Sequence, residues 1–498
     1  MGKPTLRGAR DWRTGMWLAA GTGLLCLLTA GGSMTSKDPV VAYDVTVNIV
    51  ERQTLATRSD HGLYDAYRGV DGQYYSPFGV AQSIWNIPFY LAGRAAANRV
   101  GGGIGPDAIP KATVALGTVP AVALLAWVCF QLLLALGATS SRAVGTVLLL
   151  IFATPLWPYS GFGFNQPLMA LFLWAAVLGA VAGPARRSTL VMTGVCAGLA
   201  ILTRHESSVA AAVIAAYVAI RADRPRIRAV AWYGAGLLPM IAVWGAVNWV
   251  RFGSPIESGY FRDPIVGFGQ SMLTGGGGLL FSPYSSVFLY APIALLSVAG
   301  LRALWRRDRL TAMLFVLVFV SCFAVYASLG NWMGGRSYGP RYLVPLMPAL
   351  VLPLAFWSPA PSMRRVAAAI IAISLGVQVP GVLVDYAKVR VDRAVAGETV
   401  AQDTRWVGTP LLLNARATMT NGARAVRFVA GVEAAPRIDA DGAPLSQALS
   451  FSLDLWWLYL AYLGVIGRGT AVAIALCLAA ASAGALYRAS VLARGSPV

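Results

Sequence analysis

The chain has 498 residues, 57 % of them hydrophobic and 12 % charged, with a mean hydropathy of +0.62. Soluble domains carry about 25 % charged residues, and the apolar residues here fall in runs of roughly 15–25 between short basic loops, which excludes water as the main solvent of the fold. Forty basic against 21 acidic residues give a formal charge of +19, which in a soluble chain would point to nucleic acid. The arginines instead cluster in short loops, at 7, 10 and 13, at 221, 224, 226 and 228, at 302, 306, 307 and 309, and at 364 and 365. Positive-inside bias explains them, so no nucleic-acid partner is expected.

With residues 1–13 on the cytosolic face, the apolar stretch near 17–32 reads as a retained signal-anchor rather than a cleaved leader. It delivers loop 34–82 to the opposite side. That loop sets Lys37, Arg52, Arg58 and Arg68 against Asp38, Asp44, Glu51, Asp60, Asp65 and Asp71, a net charge of 4 − 6 = −2 in an otherwise basic protein. Residues 84–97 are interrupted by Pro88, Gly93 and Arg94 and suit a helix lying along the outer interface. Spans are expected near 112–136, 143–160 and 168–184. Stretch 188–220 reads as two half-length helices meeting at LTRHESS, because a single helix would bury charged residues in hydrocarbon and put the basic loop after it on the wrong side. Further spans are expected near 229–250, 285–302, 310–329, 342–358 and 366–386. Segments 454–466 and 470–488 are either two crossings or a surface helix followed by one. The sum is an all-α polytopic membrane protein with about 12–13 transmembrane helices and outer juxtamembrane helices. Its expected divisions are a membrane module over 1–386, a small extracytoplasmic segment over 387–453 with 427–432 as a candidate strand, and C-terminal membrane helices over 454–498. No internal repeat or mirror symmetry is visible, which weakens a transporter reading.

Against this background, polar clusters next to apolar spans are informative. Asp38 and Asp44 are six residues apart, about 240° around a helix, and do not share a face. Pro39 speaks against one continuous helix through both. Asp38, nearest the membrane exit, is the first candidate for a general base and Asp44 the second, or an orienting residue; a solvated loop acid is the plain alternative. In VDGQYYSPFG, Tyr74 and Tyr75 suit sugar stacking or interfacial anchoring. In LTRHE, Arg204 suits a phosphate, while His205 and Glu206 would orient it or form an internal ion pair. In GNWMGGRSYGPRY, Arg336 and Arg341 flank a glycine-rich turn beside Tyr338 and Tyr342, a composition suited to a lipid phosphate. GGGGLLFSPYSS, from position 275, reads as a flexible outer loop re-entering the membrane; no GK[ST] follows it, so it is not a P-loop. The five cysteines, all in apolar stretches, and the two histidines have no metal-ligand spacing.

Across about residues 12–386, the acidic first outer loop, YYSPFG before an interfacial helix, LTRHE and WMGGRSYGPRYLVPLMP together resemble the bacterial members of the GT-C superfamily of integral-membrane glycosyltransferases. The resemblance implies inverting transfer of a sugar from a polyprenyl-phosphate-linked donor to an envelope glycan, glycolipid or protein. The pocket would face the periplasm or cell exterior from the bacterial inner membrane. It also implies Asp38 as the base with Asp44 in support, Arg204 or Arg341 on the donor phosphate, and Arg336, Tyr74, Tyr75 and His205 near the pocket. The family's acidic pair beyond the first span is replaced here by Asp38 followed by Pro39. The lipid-linked sugar is a substrate rather than a cofactor, no cation cage is evident, and divalent-metal dependence stays open. A lipid or polysaccharide transporter and a non-enzymatic envelope scaffold are the competing functions.

Overall fold

A computed structural model describes residues 9–57, 66–100, 107–183, 186–222, 225–260, 267–335, 337–395, 408–435 and 452–495. Arg336, His61, Asp60 and Asp65 lie outside the described residues.

The architecture is all-α. Helix α1 (Ala9–Thr29) leads through a short turn into α2 (Lys37–Arg52). Contrary to expectation, α2 runs unbroken through Pro39 to Asp44 and beyond. Pro39 stands in the first turn, where its missing N–H would have had no intrahelical partner. Next comes a small antiparallel sheet in the order β1 (Ala56–Thr57), β3 (Tyr74–Tyr75), β2 (Tyr67–Arg68), with Tyr75 opposite both Ala56 and Tyr67. Helix α3 (Ala81–Val100) covers the stretch 84–97 expected to lie along the interface and extends it at both ends.

The centre of the molecule is α4 (Ala108–Leu116) with α5 (Thr118–Ala135), then α6 (Ser140–Phe152) and α7 (Gln166–Ala182). Most α5 side chains from Thr118 to Leu134 are buried, including the polar Gln131, as suits a helix largely surrounded by protein, with Leu124 on its exposed side. Trp174 of α7 is fully buried, and its indole N–H, which must find an acceptor there, donates to the Pro345 carbonyl at 2.9 Å.

The half-length pair is present as α8 (Arg187–Thr203) and α9 (Ser208–Arg221), meeting at 204–207. Helix α10 (Arg226–Phe252) crosses α8 at glycines. A Cβ on Gly194 would come within 2.0 Å of the Tyr233 carbonyl, and one on Gly236 within 1.9 Å of the Val191 carbonyl, so backbone meets backbone.

The GGGG segment is not a loop. It lies inside α11 (Met272–Phe281), where a Cβ on Gly275 would stand 2.0 Å from the Ala327 carbonyl and one on Gly278 would stand 2.1 Å from the Trp332 ring. These glycines let α11 seat against α14 (Arg309–Ala327) despite their low helix propensity. The spans expected at 285–302 and 342–358 are broken. The first consists of α12 (Val287–Tyr290), a 3₁₀ turn and α13 (Ser297–Arg307); the second consists of two 3₁₀ turns flanking α15 (Met347–Val351). Pro292, Pro345, Pro348 and Pro353 remove the donors a straight helix would need, and Tyr290 O accepts instead from the Gln378 amide at 2.7 Å.

Helix α16 (Pro361–Leu383) is followed by α17 (Tyr386–Val395) and α18 (Pro410–Val429). The candidate strand at 427–432 is therefore helical up to Val429: Thr409 caps α18, and Leu413, Ala425 and Phe428 form its buried face. At the C-terminus α19 (Trp456–Tyr462) has seven residues, too few to cross a bilayer, and α20 (Arg468–Arg494) has 27, so the alternative of two helical crossings does not hold; α19 packs instead through Leu458, Tyr459 and Tyr462 against Ala425 and Phe428 of α18. Among the described residues, five helices are long and apolar enough to cross a membrane by length and composition, and five shorter apolar helices accompany them.

Candidate functional site

The first turn of α2 meets the break after Pro340. Asp38 Oδ2 lies 2.8 Å from Arg341 Nη1, with Arg341 5 % exposed and Asp38 16 %. The guanidinium of Arg341 lies 5.1 Å from the Tyr342 ring centroid, and that of Arg204 lies 5.1 Å from the same ring. Tyr326 stacks on Tyr342 with centroids 5.2 Å apart. Two buried cations thus share one aromatic ring, and each has its own carboxylate: Asp38 for Arg341 and Glu206 for Arg204, the latter at 2.7 Å. Arg204 also donates to Asn165 Oδ1 at 3.2 Å. The Nε atoms of both arginines and Oε2 of Glu206 are buried without a hydrogen-bond partner. Orphan donors on buried guanidiniums are expensive, so the site is electrostatically suited to receive an anion.

A cleft opens on the other flank of Asp38. Asp38, Ala42 and Val45, one stripe of α2, face Ser76, Gln82, Ser83, Asn165 and Arg251, and among the described residues Asp38 is the sole carboxylate in that lining. Its free volume is about 10 Å³, room for roughly one water, so a single sugar hydroxyl fits beside Asp38 in this conformation. Arg251, 2 % exposed, donates to the carbonyls of Ser76 at 3.1 Å and Phe78 at 2.9 Å and clamps the SPFG segment. A Cβ on Gly79 would stand 2.1 Å from the Leu202 carbonyl, so glycine is required where this segment meets the end of α8.

A larger cavity of about 380 Å³ lies among α8, α9, α10 and α14. Its walls include Ile201, Val209, Ile241, Trp244 and Leu329, and Glu206 is among its lining residues, so an apolar space adjoins the carboxylate partner of Arg204.

The other expected residues take different places. Asp44 is buried off the cleft-facing stripe of α2 and is not brought to Asp38. His205 accepts at Nδ1 from the Trp244 indole at 2.7 Å; its Nε2, 3.1 Å from the Pro77 carbonyl, is therefore the protonated nitrogen. Both nitrogens are engaged, and the ring ties LTRHE to the SPFG segment. Tyr74 is 39 % exposed. Tyr75 is buried, packs on Phe252 and donates to Asp71 at 2.7 Å; this bond first, and then the Gln73 N–H, holds the Asp71 carboxyl below its ordinary range. Tyr338 is buried beside Tyr290 and donates to the Val377 carbonyl, away from the arginine pair. Sequence reasoning missed Arg251 and Asn165 as site residues, and placed Tyr342 beside the arginine turn without giving it a role. Arg251 was legible only as a cation ending an apolar span, and Asn165 as the polar end of YSGFGFN. Among the described residues no group of three or more His, Cys, Asp or Glu is placed to hold a metal ion.

No protein-family model matches the chain, and no curated protein does. In chain path it is similar to ArnT from Cupriavidus metallidurans bound to undecaprenyl phosphate, at 15 % identity and a TM-score of 0.42 over 98 % of this chain and 78 % of that one. Apo ArnT from the same organism gives 14 % and 0.42 over 95 % and 74 %. The apo oligosaccharyltransferase of Archaeoglobus fulgidus gives 12 % and 0.41 over 89 % and 60 %. At these identities and scores, the functional reading rests on the side chains.

Proposed function

We propose that the chain is a membrane glycosyltransferase that moves a sugar, with inversion, from a polyprenyl-phosphate-linked donor to a hydroxyl of an envelope glycan, glycolipid or protein, on the extracytoplasmic face of the bacterial inner membrane. The observation that carries this reading is the Asp38–Arg341 pair at 2.8 Å, with Arg204 reached through the shared Tyr342 ring. The few prenyl units nearest the phosphate suit the apolar cavity beside Glu206, which would set the phosphate against Arg204 and Arg341. The phosphate then takes over Arg341 as its own partner and releases Asp38. The freed carboxylate takes the proton of the acceptor hydroxyl, and the hydroxyl oxygen bonds to the anomeric carbon from the face opposite the phosphate. The carbon–oxygen bond to phosphate breaks, its electron pair staying with the leaving polyprenyl phosphate, whose added charge the two guanidiniums stabilise.

The test incubates the purified full chain with a panel of polyprenyl-phospho-sugars and envelope acceptors and reads products by mass. Sugar transfer that Asp38→Asn abolishes is the expected result. Translocation of lipid without any glycosylated product would replace this reading with a transporter.

A further inference from the structure

We propose that the face opposite Asp38 holds a second site, for a phosphate-bearing anion, built by Arg142, Arg306 and Arg307 around a cavity of about 380 Å³. Its position follows from the helices that run away from it. Helix α6 starts at the cavity and ends about 20 Å on, after which the chain leads to Gly163 and Asn165 in the Asp38 cleft. Helix α14 starts just past Arg307 and runs about 29 Å to the neighbourhood of Leu329, beside the apolar cavity. The two sites are therefore separated by most of the membrane thickness.

Among the described residues, no carboxylate lines this cavity to compensate its charge. Asp308, the one acid of the 302–309 loop, is turned away: it pairs with Arg221 at 3.1 Å and caps α14 through the N–H and hydroxyl of Thr311. Asp11 receives the Ser140 hydroxyl at 2.6 Å on the side of α1. Arg142 and Arg307 are instead held by neutral acceptors. Arg142 donates to Ser358 Oγ at 2.8 Å and to the Ala355 carbonyl at 3.4 Å; Arg307 donates to the Gly137 carbonyl at 3.1 Å and lies over Phe356. Both cations are thereby oriented without being neutralised. Gly137, at φ +81°, permits this, since a Cβ there would stand 2.3 Å from Arg307 Nη2. Thr139 caps α6, so the positive end of that helix also lines the cavity.

Three guanidiniums with a helix N-terminus suit phosphate oxygens better than a carboxylate, because the forks supply more donors than one carboxylate can accept. The cavity's size admits a phosphate with a small esterified group. That phosphate can belong to an acidic lipid headgroup, as in basic pockets between membrane helices on the cytoplasmic side, or to a soluble compound.

The test uses the purified full chain in phosphatidylcholine nanodiscs with and without phosphatidylglycerol, read by native mass spectrometry, and a parallel titration with inorganic pyrophosphate. The probing variant is Arg306→Gln, whose side chain makes no hydrogen bond or ion pair with the protein among the described residues, so folding is not in question. The companion is the double variant Arg306→Ala, Arg307→Ala, and the control is Arg364→Ala with Arg365→Ala, an exposed basic pair elsewhere. Retained phosphatidylglycerol that falls at least about tenfold in the probing variants but not in the control supports the site with a lipid occupant. Pyrophosphate binding with the same variant pattern supports it with a soluble one. Binding of neither probe, or binding lowered equally by the control, overturns the proposal. Sugar transfer is not read, so this outcome is independent of the function proposed for the opposite face.

Discussion

Asp38 is held by Arg341 at 2.8 Å, so on the function proposed above the carboxylate acts as base only once a donor phosphate has taken its place on the guanidinium. Asp38→Asn should lower transfer by about 10²–10⁴-fold, the range of a lost general base, while direct binding shows the lipid-linked donor still retained. Arg341→Ala should instead weaken donor binding and leave Asp38 without its buried partner, with about 3–5 kcal/mol of lost interaction or stability. Unchanged donor affinity in that variant would remove Arg341 from the phosphate site. Asp385 carries a pH signature at the same scale. It follows α16, is bonded by Thr35 in the turn ahead of α2, and is pushed up to about 6 by burial and then by Asp454. The folded chain holds a proton that the unfolded chain releases above its ordinary value of 3.8, so this group's stabilising contribution is present at low pH and lost as pH rises to about 6. The melting temperature of Asp385→Asn should therefore change less than that of the parent between about pH 4 and 6. Equal slopes in a detergent thermal-shift series would contradict this.

Helix packing decides which glycines matter. Gly236 and Gly234 stand on the same helix, α10; a Cβ at 236 would meet the Val191 carbonyl at 1.9 Å, while nothing lies within 4 Å of one at 234. Gly236→Val should separate α8 from α10, displace the 204–207 turn and cost about 1–3 kcal/mol or more. Gly234→Ala should be neutral or stabilise by up to about 1 kcal/mol, through helix propensity. Similar melting temperatures for the two variants would show that the close crossing is not needed. The element scale is also where sequence reading was least complete. Pro39 argued against a helix and was accommodated because it falls in the first turn. GGGG looked like a loop and is helical, with glycine needed at 275 and 278 because α14 and Trp332 approach too closely for side chains there. Local propensity cannot register a neighbour contributed by residues 50 positions away.

Over the whole molecule, charge divides the loops into two groups. Loop residues around Asp38 are acidic and the opposite loops are basic, which predicts an outward Asp38 and a cytosolic Arg306. In a cysteine-free background, Gln73→Cys should react with a membrane-impermeant maleimide in intact cells, and Ser141→Cys only after permeabilisation; both positions are exposed. The reverse pattern would invert the orientation.

The sequence by itself determined the solvent of this fold, its all-helical class, the split of 188–220 into two helices, and Asp38, Arg204 and Arg341 as the residues of interest. Hydropathy and the cost of burying charge are properties of composition and spacing, so they are readable in one dimension. Only the tertiary structure decided that Asp38 pairs with Arg341 across some 300 residues, that Tyr342 joins the two arginines, that Arg251 clamps the SPFG segment, and that Asp44 and Tyr338 turn elsewhere. Those choices depend on which helix faces meet, and a contact between distant segments leaves no mark on the local pattern of either.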